Sequence, residues 1–114
     1  MAFVDCFVAA VPTANRDQYI EHSSQMAQFF KSRGALSVID CWGVDVPPGE
    51  KTSYYTAVEC QPDEGIVTGW VRWPSKEVRD TAMAEMMSGG HDFSNMPFDG
   101  SRLIFGGFEV VVDV

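Results

Sequence analysis

The chain has 114 residues, 46% of them apolar and 21% charged, an ordinary globular balance in a length that suits one domain with a real core. Its formal net charge of −8 argues against nucleic acid or an anionic membrane as a partner. The first eleven residues do not read as a signal peptide, no apolar run approaches the ~20 residues of a membrane span, and Cys6, Cys41 and Cys60 lack disulfide or metal spacing, so free thiols and a cytoplasmic location are expected.

Phe3–Val11 is apolar almost throughout and reads as a central strand ended by Pro12. Thr13 or Asn15 can cap the next helix, and Asn15 with Gln18 three residues on has the form of a capping box. The helix it opens runs to about Arg33, with Gly34 at the C′ position and an inner stripe of Tyr19, Ser23, Met26, Ala27 and Phe30. Leu36–Val44 is a second strand, closed by the turn-rich stretch Asp45-Val46-Pro47-Pro48-Gly49. Tyr54–Cys60 reads as a short edge strand. Ile66–Trp73 is the next strand, and Pro74 stops it. Ser75 then caps a helix whose stripe is Val78, Ala82 and Met86 and which Gly89-Gly90 ends. His91 and Phe93 fall in the loop that follows. Pro97-Phe98-Asp99-Gly100 is a turn into the last strand, Leu103–Glu109.

The order strand–helix–strand, repeated with an extra edge strand between, predicts an α+β chain. It is a ferredoxin-like plait, an antiparallel sheet with two helices on one face. Strand alternation divides the faces. The small apolar residues Val4, Cys6, Val8 and Ala10, with Ile39, Cys41 and Gly43 and with Val67, Gly69 and Val71, are expected under the helices, where the two thiols would be buried. Phe3, Asp5 and Phe7, with Asp40 and Trp42 and with Thr68, Trp70 and Arg72, fall on the other face. Bare aromatics on that face would make a contact patch, so a two-fold dimer with facing sheets and a cavity between them is expected. Arg72 is expected to pair there with Asp5 or Asp40.

Phe3-Val4-Asp5 with Phe7, Cys41-Trp42, Asp45-Val46-Pro47, Trp73-Pro74-Ser75-Lys76 and above all Met96-Pro97-Phe98-Asp99-Gly100 through Gly106-Gly107-Phe108-Glu109 resemble the YbaA-like bacterial family. The resemblance covers nearly the whole chain, and departs from the family pattern at Asp40 and Arg72. It implies the dimeric α/β-barrel version of the ferredoxin-like fold, and it implies no reaction.

The candidate pocket residues are Asp5, Phe7, Asp40, Trp42, Trp70 and Arg72, with Met96 and Phe98 as a lid; convergent polar groups on aromatic walls are what small-molecule sites use. The bland alternative is an ion pair and aromatic packing that glue a dimer. Asp5 and Asp40 are also weighed as an acid–base pair. His22 and His91 have no ligand partners at metal spacing, so no metal and no cofactor are expected. Glu59 and Asp63 argue against a reactive Cys60, which is expected near the surface. The reading is therefore a homodimer binding a small molecule between its sheets. A cofactor-independent enzyme of the monooxygenase kind, suggested by superfamily relatives, and a ligand-free structural dimer are the alternatives.

Overall fold

Phe3–Pro12 (β1) lies inside a four-stranded sheet. Its neighbours are Glu64–Trp73 (β3) on one side and Ile104–Glu109 (β4) on the other, and Ser37–Trp42 (β2) pairs with the far edge of β3. All three pairings are antiparallel. The computed structural model describes residues 2–89 and 96–114, so the expectations for His91 and Phe93 lie outside the described residues. Arg16–Ser32 (α1) and Lys76–Ser88 (α3) cover one face, and a single turn, Tyr54–Ala57 (α2), lies between β2 and β3. The order β2-β3-β1-β4 is the ferredoxin-like plait that the sequence predicts.

Local chemistry explains where the helices start and stop. The Ser75 hydroxyl accepts from the Val78 amide at 3.2 Å and caps α3. Gly34, at φ +106°, ends α1: its amide donates to Lys31 O and that of Ala35 donates to Phe30 O, the paired bonds of a Schellman motif. The capping box at Asn15 does not form. A 3₁₀ turn over Thr13–Asn15 already turns the chain into α1, and Asn15 Nδ2 donates instead to Pro97 O at 3.1 Å.

The expected strand over 54–60 is not a strand. Ser53 Oγ accepts from the Thr56 amide at 3.0 Å and nucleates α2, which overrides the strand preference of two tyrosines and a threonine. Glu59 at φ +49° then turns the chain. The fully buried Val58 packs on Ala10 and Ile66, so this segment covers part of the face opposite α1 and α3.

The register reverses the expected faces of β1 and β2. Asp5 pairs with Val71 and Gly107, Phe7 with Gly69 and Phe105, and Asp40 with Gly69. Phe3, Asp5, Phe7, Asp40 and Trp42 therefore share a face with Val67, Gly69 and Val71, and that face carries the helices. Phe3, Val71 and Trp73 pack against Ala35 and Ala82, while Ala9, Val11 and Val67 pack with Tyr19 of α1. For β3 the expected division holds. In β1 both faces are apolar enough for a core, so alternation divides them without saying which is which. Cys6 and Cys41 consequently lie on the open face, half-buried and exposed respectively, and not beneath the helices.

Arg102 ties three segments together. It makes a two-pronged ion pair with Glu64 (2.7 Å for each contact), meets Asp99 at 3.0 Å and donates to Glu59 O at 2.8 Å. In urea denaturation, Ser75→Ala is expected to cost about 1 kcal/mol through its lost cap. Arg102→Ala should lower the midpoint further, because it frees the 59–64 turn and the entry to β4 together.

Candidate functional site

Two neighbouring rows of side chains cross the helix-facing side of the sheet. One runs Asp40, Gly69, Phe7, Phe105, and the other Val38, Val71, Asp5, Gly107. Each row carries one carboxylate and one glycine, and the glycines make room. A Cβ on Gly69 would come within 2.8 Å of the Phe7 ring. A Cβ on Gly107 would come within 2.6 Å of the Phe3 ring and run into the Arg79 guanidinium.

Each carboxylate is met by a different helix. Asp5, half-buried, accepts from Trp73 Nε1 at 3.0 Å, and Arg79 Nε of α3 lies 3.1 Å from its other oxygen. That second contact is ionic, since the buried Nε points off the line of a hydrogen bond. Arg79 also stacks 4.6 Å from the centre of the Phe3 ring and donates to Asp80 at 2.8 Å. Burial holds the Asp5 carboxyl above the usual aspartate range and outweighs the downward pull of Arg79. Asp40, exposed on the edge strand, accepts from Tyr19 OH of α1 at 2.7 Å and from Ser23 Oγ. Burial and Asp40 push the Tyr19 phenol upward, so it stays a donor.

Between these two attachments α1 and α3 stand off the sheet and leave a cavity of about 390 Å³. Phe7 and Val71 form its floor, Met26, Ala27 and Phe30 one wall, and Met83 and Met86 the other, while Phe98, Leu103 and Phe105 close one end. Asp5, Arg79, Ser23, Asp40 and His22 supply its polar groups. Burial pushes the His22 imidazole below its ordinary value of 6.5, although Asp40 pulls the other way. A smaller cavity of about 270 Å³ lies on the far side of Tyr19, Ser23 and Asp40, bounded by Arg16 and Trp42.

The expected pocket residues divide. Asp5, Phe7, Asp40 and Phe98 line the larger cavity, and Phe98 packs edge-on to Tyr19 with ring centres 5.8 Å apart. Trp42 belongs to the smaller one, with the Arg16 guanidinium 5.5 Å from its ring centre. The strand segment at Trp70 borders the larger cavity, but alternation puts its side chain on the open face. Arg72 shares that open face and pairs with Asp113, not with Asp5 or Asp40, from which the sheet separates it. Met96 borders neither cavity. Asp5 and Asp40 sit on strands two apart and one row apart, which puts their backbones about 12 Å apart, and each carboxylate has its own partners, Trp73 and Arg79 for Asp5 and Tyr19 and Ser23 for Asp40. Asp5, Phe7, Asp40 and Trp42 face the helices, so of the expected strand residues only Trp70 and Arg72 would line a space between facing sheets.

Sequence reasoning missed Arg79, Tyr19, Ser23 and His22 as site groups. Two signals were present: Ser23 interrupts the apolar stripe of α1, and Arg79 precedes Met83 and Met86 at helical spacing. The Cys60 thiol is half-buried and not exposed; it donates to Glu64 O at 3.5 Å, and burial and Glu64 push it upward, away from reactivity. Among the described residues no group of three His, Cys, Asp or Glu side chains could hold a metal, and no helix is long and apolar enough to cross a membrane.

A family model described as a protein of unknown function, DUF1428, matches residues 2–100. The chain is 46% identical to the uncharacterised protein YbaA of Escherichia coli K12 and to that of Shigella flexneri, covering 99% of each chain. A crystal structure of a dimeric ferredoxin-like protein from an uncultured marine organism aligns at a TM-score of 0.64, with 14% identity, over 99% of this chain and 98% of that one.

His22 generates a pH prediction. The folded state holds it neutral, while the unfolded chain takes up a proton near pH 6.5, so acidification through that value favours unfolding. His22→Gln is expected to reduce the loss of stability between about pH 7 and 5, read as the shift of urea midpoint with pH.

Proposed function

The chain belongs to the DUF1428 family of proteins of unknown function, and from that premise we propose that it binds a small, largely apolar molecule beneath α1 and α3, as a homodimer joined through the open face of its sheet. The cavity carries this reading. Its volume of about 390 Å³ lies within the range of ligand sites, and its walls are aliphatic and aromatic with a few convergent polar groups. Met26, Met83 and Met86 give it adaptable walls. The site belongs to each chain by itself, beneath its own helices, in place of the shared space between sheets that the sequence suggested.

The dimer rests on the other face. Trp70, Ile39, Ile104 and Phe108 are all exposed there, beside the region that Val58 covers. Such a patch marks a contact surface, and the marine ferredoxin-like protein of the same fold is described as dimeric. A second reading, a cofactor-independent enzyme, draws on Asp5: a carboxyl held upward by burial inside an apolar cavity suits acid–base work.

Native mass spectrometry of gently purified protein tests both parts. The expected species is a dimer carrying one small added mass per chain. Ala27→Trp fills the cavity and should remove the added mass while the dimer persists. Trp70→Glu should raise the dimer dissociation constant by about 30-fold or more, the effect of losing a tryptophan worth about 2 kcal/mol at an interface. A monomeric wild-type chain would overturn the dimer, and an unchanged added mass in Ala27→Trp would remove the cavity from the account.

A further inference from the structure

We infer that the smaller cavity, beside Trp42, is a second binding site and that it takes a small zwitterion, a molecule with an ammonium at one end and a carboxylate at the other. Two side chains of opposite charge, Arg16 and Asp40, line this cavity and form no ion pair with each other. Arg16 differs from the other arginines. Arg33, Arg72, Arg79 and Arg102 each pair with a carboxylate, whereas Arg16 pairs with none among the described residues, in a chain with 16 Asp and Glu against 8 Lys and Arg. Its guanidinium lies instead 5.5 Å from the centre of the Trp42 ring. Stacking engages the face of a guanidinium and leaves the N–H groups at its edge free, in a fork that matches a carboxylate.

The Trp42 platform is held in place by its neighbours. A Cβ on Gly65 would come within 2.8 Å of the ring, so the glycine lets the ring lie against β3, and Tyr19 meets it edge-on with ring centres 6.3 Å apart. Asp40 precedes Trp42 by two residues on β2, so both side chains leave the same face of the strand. The Asp40 carboxylate accepts from Tyr19 and Ser23, and a carboxylate has about four acceptor positions, so capacity for an ammonium remains. Ile20 adds an apolar wall, and the volume of about 270 Å³ suits a molecule the size of an amino acid. A lone anion would meet Asp40, and a lone cation would meet Arg16. A zwitterion complements both and adds no net charge to a chain that carries −8.

NMR titration of the wild-type protein with L-leucine, 3-methylbutylamine and 4-methylpentanoate compares one apolar body bearing both charges, the cation alone and the anion alone. A second set, 5-aminopentanoate, butylamine and pentanoate, repeats the comparison with the charges further apart. At least one zwitterion is expected to bind at least about tenfold more tightly than either of its singly charged counterparts. It should move the Trp42 indole N–H and Arg16 Nε–H signals and leave the methyl signals of Met83 and Met86 in place. Arg16→Gln should bring that zwitterion down to the affinity of the amine, and Asp40→Asn to that of the acid. Zwitterions that bind no more tightly than their counterparts, or an affinity unchanged in Arg16→Gln, would overturn the inference. Shifts at Met83 and Met86 without any at Trp42 would also overturn it, by placing the molecule in the larger cavity.

Discussion

Two carboxylates on the inner side of the sheet govern how the helices sit. A carboxylate facing an apolar layer costs free energy unless something donates to it. Here the helices supply the partners, Arg79 of α3 for Asp5 and Tyr19 with Ser23 of α1 for Asp40. Those side chains hold their helices at the two carboxylates instead of letting them collapse onto the sheet between them. The glycines complete the arrangement: Gly107 leaves room for the guanidinium beside Asp5, and Gly69 for the Phe7 ring beside Asp40. The cavity is the space that remains, and its polar groups are the same ones that position the helices.

The rest of the chain braces this frame. Trp73 donates to Asp5 and is itself fully buried, so one residue joins the core to the site. Phe98 packs on Tyr19, and Asn15 donates to Pro97, so the segment before β4 is tied to the start of α1. At the opposite end Arg102 fastens that segment to Glu64 and Glu59. Val58 seals one corner of the open face and leaves Trp70, Ile39, Ile104 and Phe108 uncovered. A chain built this way has two distinct surfaces to offer, a cavity under its helices and an apolar sheet face.

The plait was legible from Pro12, Pro74, Ser75 and Gly34, because these residues punctuate the chain through steric and capping effects that act locally. The faces of β1 and β2 were not. Assigning charge to the outside is sound on average, and it fails when a partner on another element offsets the cost of burial; Arg79 lies 74 positions from Asp5 in the chain. The same rule sent Arg72 toward Asp5 and Asp40, whereas Asp113, on its own side of the sheet, satisfies it. The stretch 54–60 misled for a local reason: one serine cap outweighed three residues of strand propensity. Asp5, Phe7 and Asp40 were singled out for their polarity and size, and the structure brings them to one cavity on the face opposite to the one expected.

The central claim is that each chain holds apolar volume beneath its own helices, and xenon locates such volume directly. In diffraction from a xenon-pressurised crystal, the account predicts xenon in every chain among Phe7, Ala27 and Met83. Xenon found only between facing sheets, or none within the chain, would contradict it.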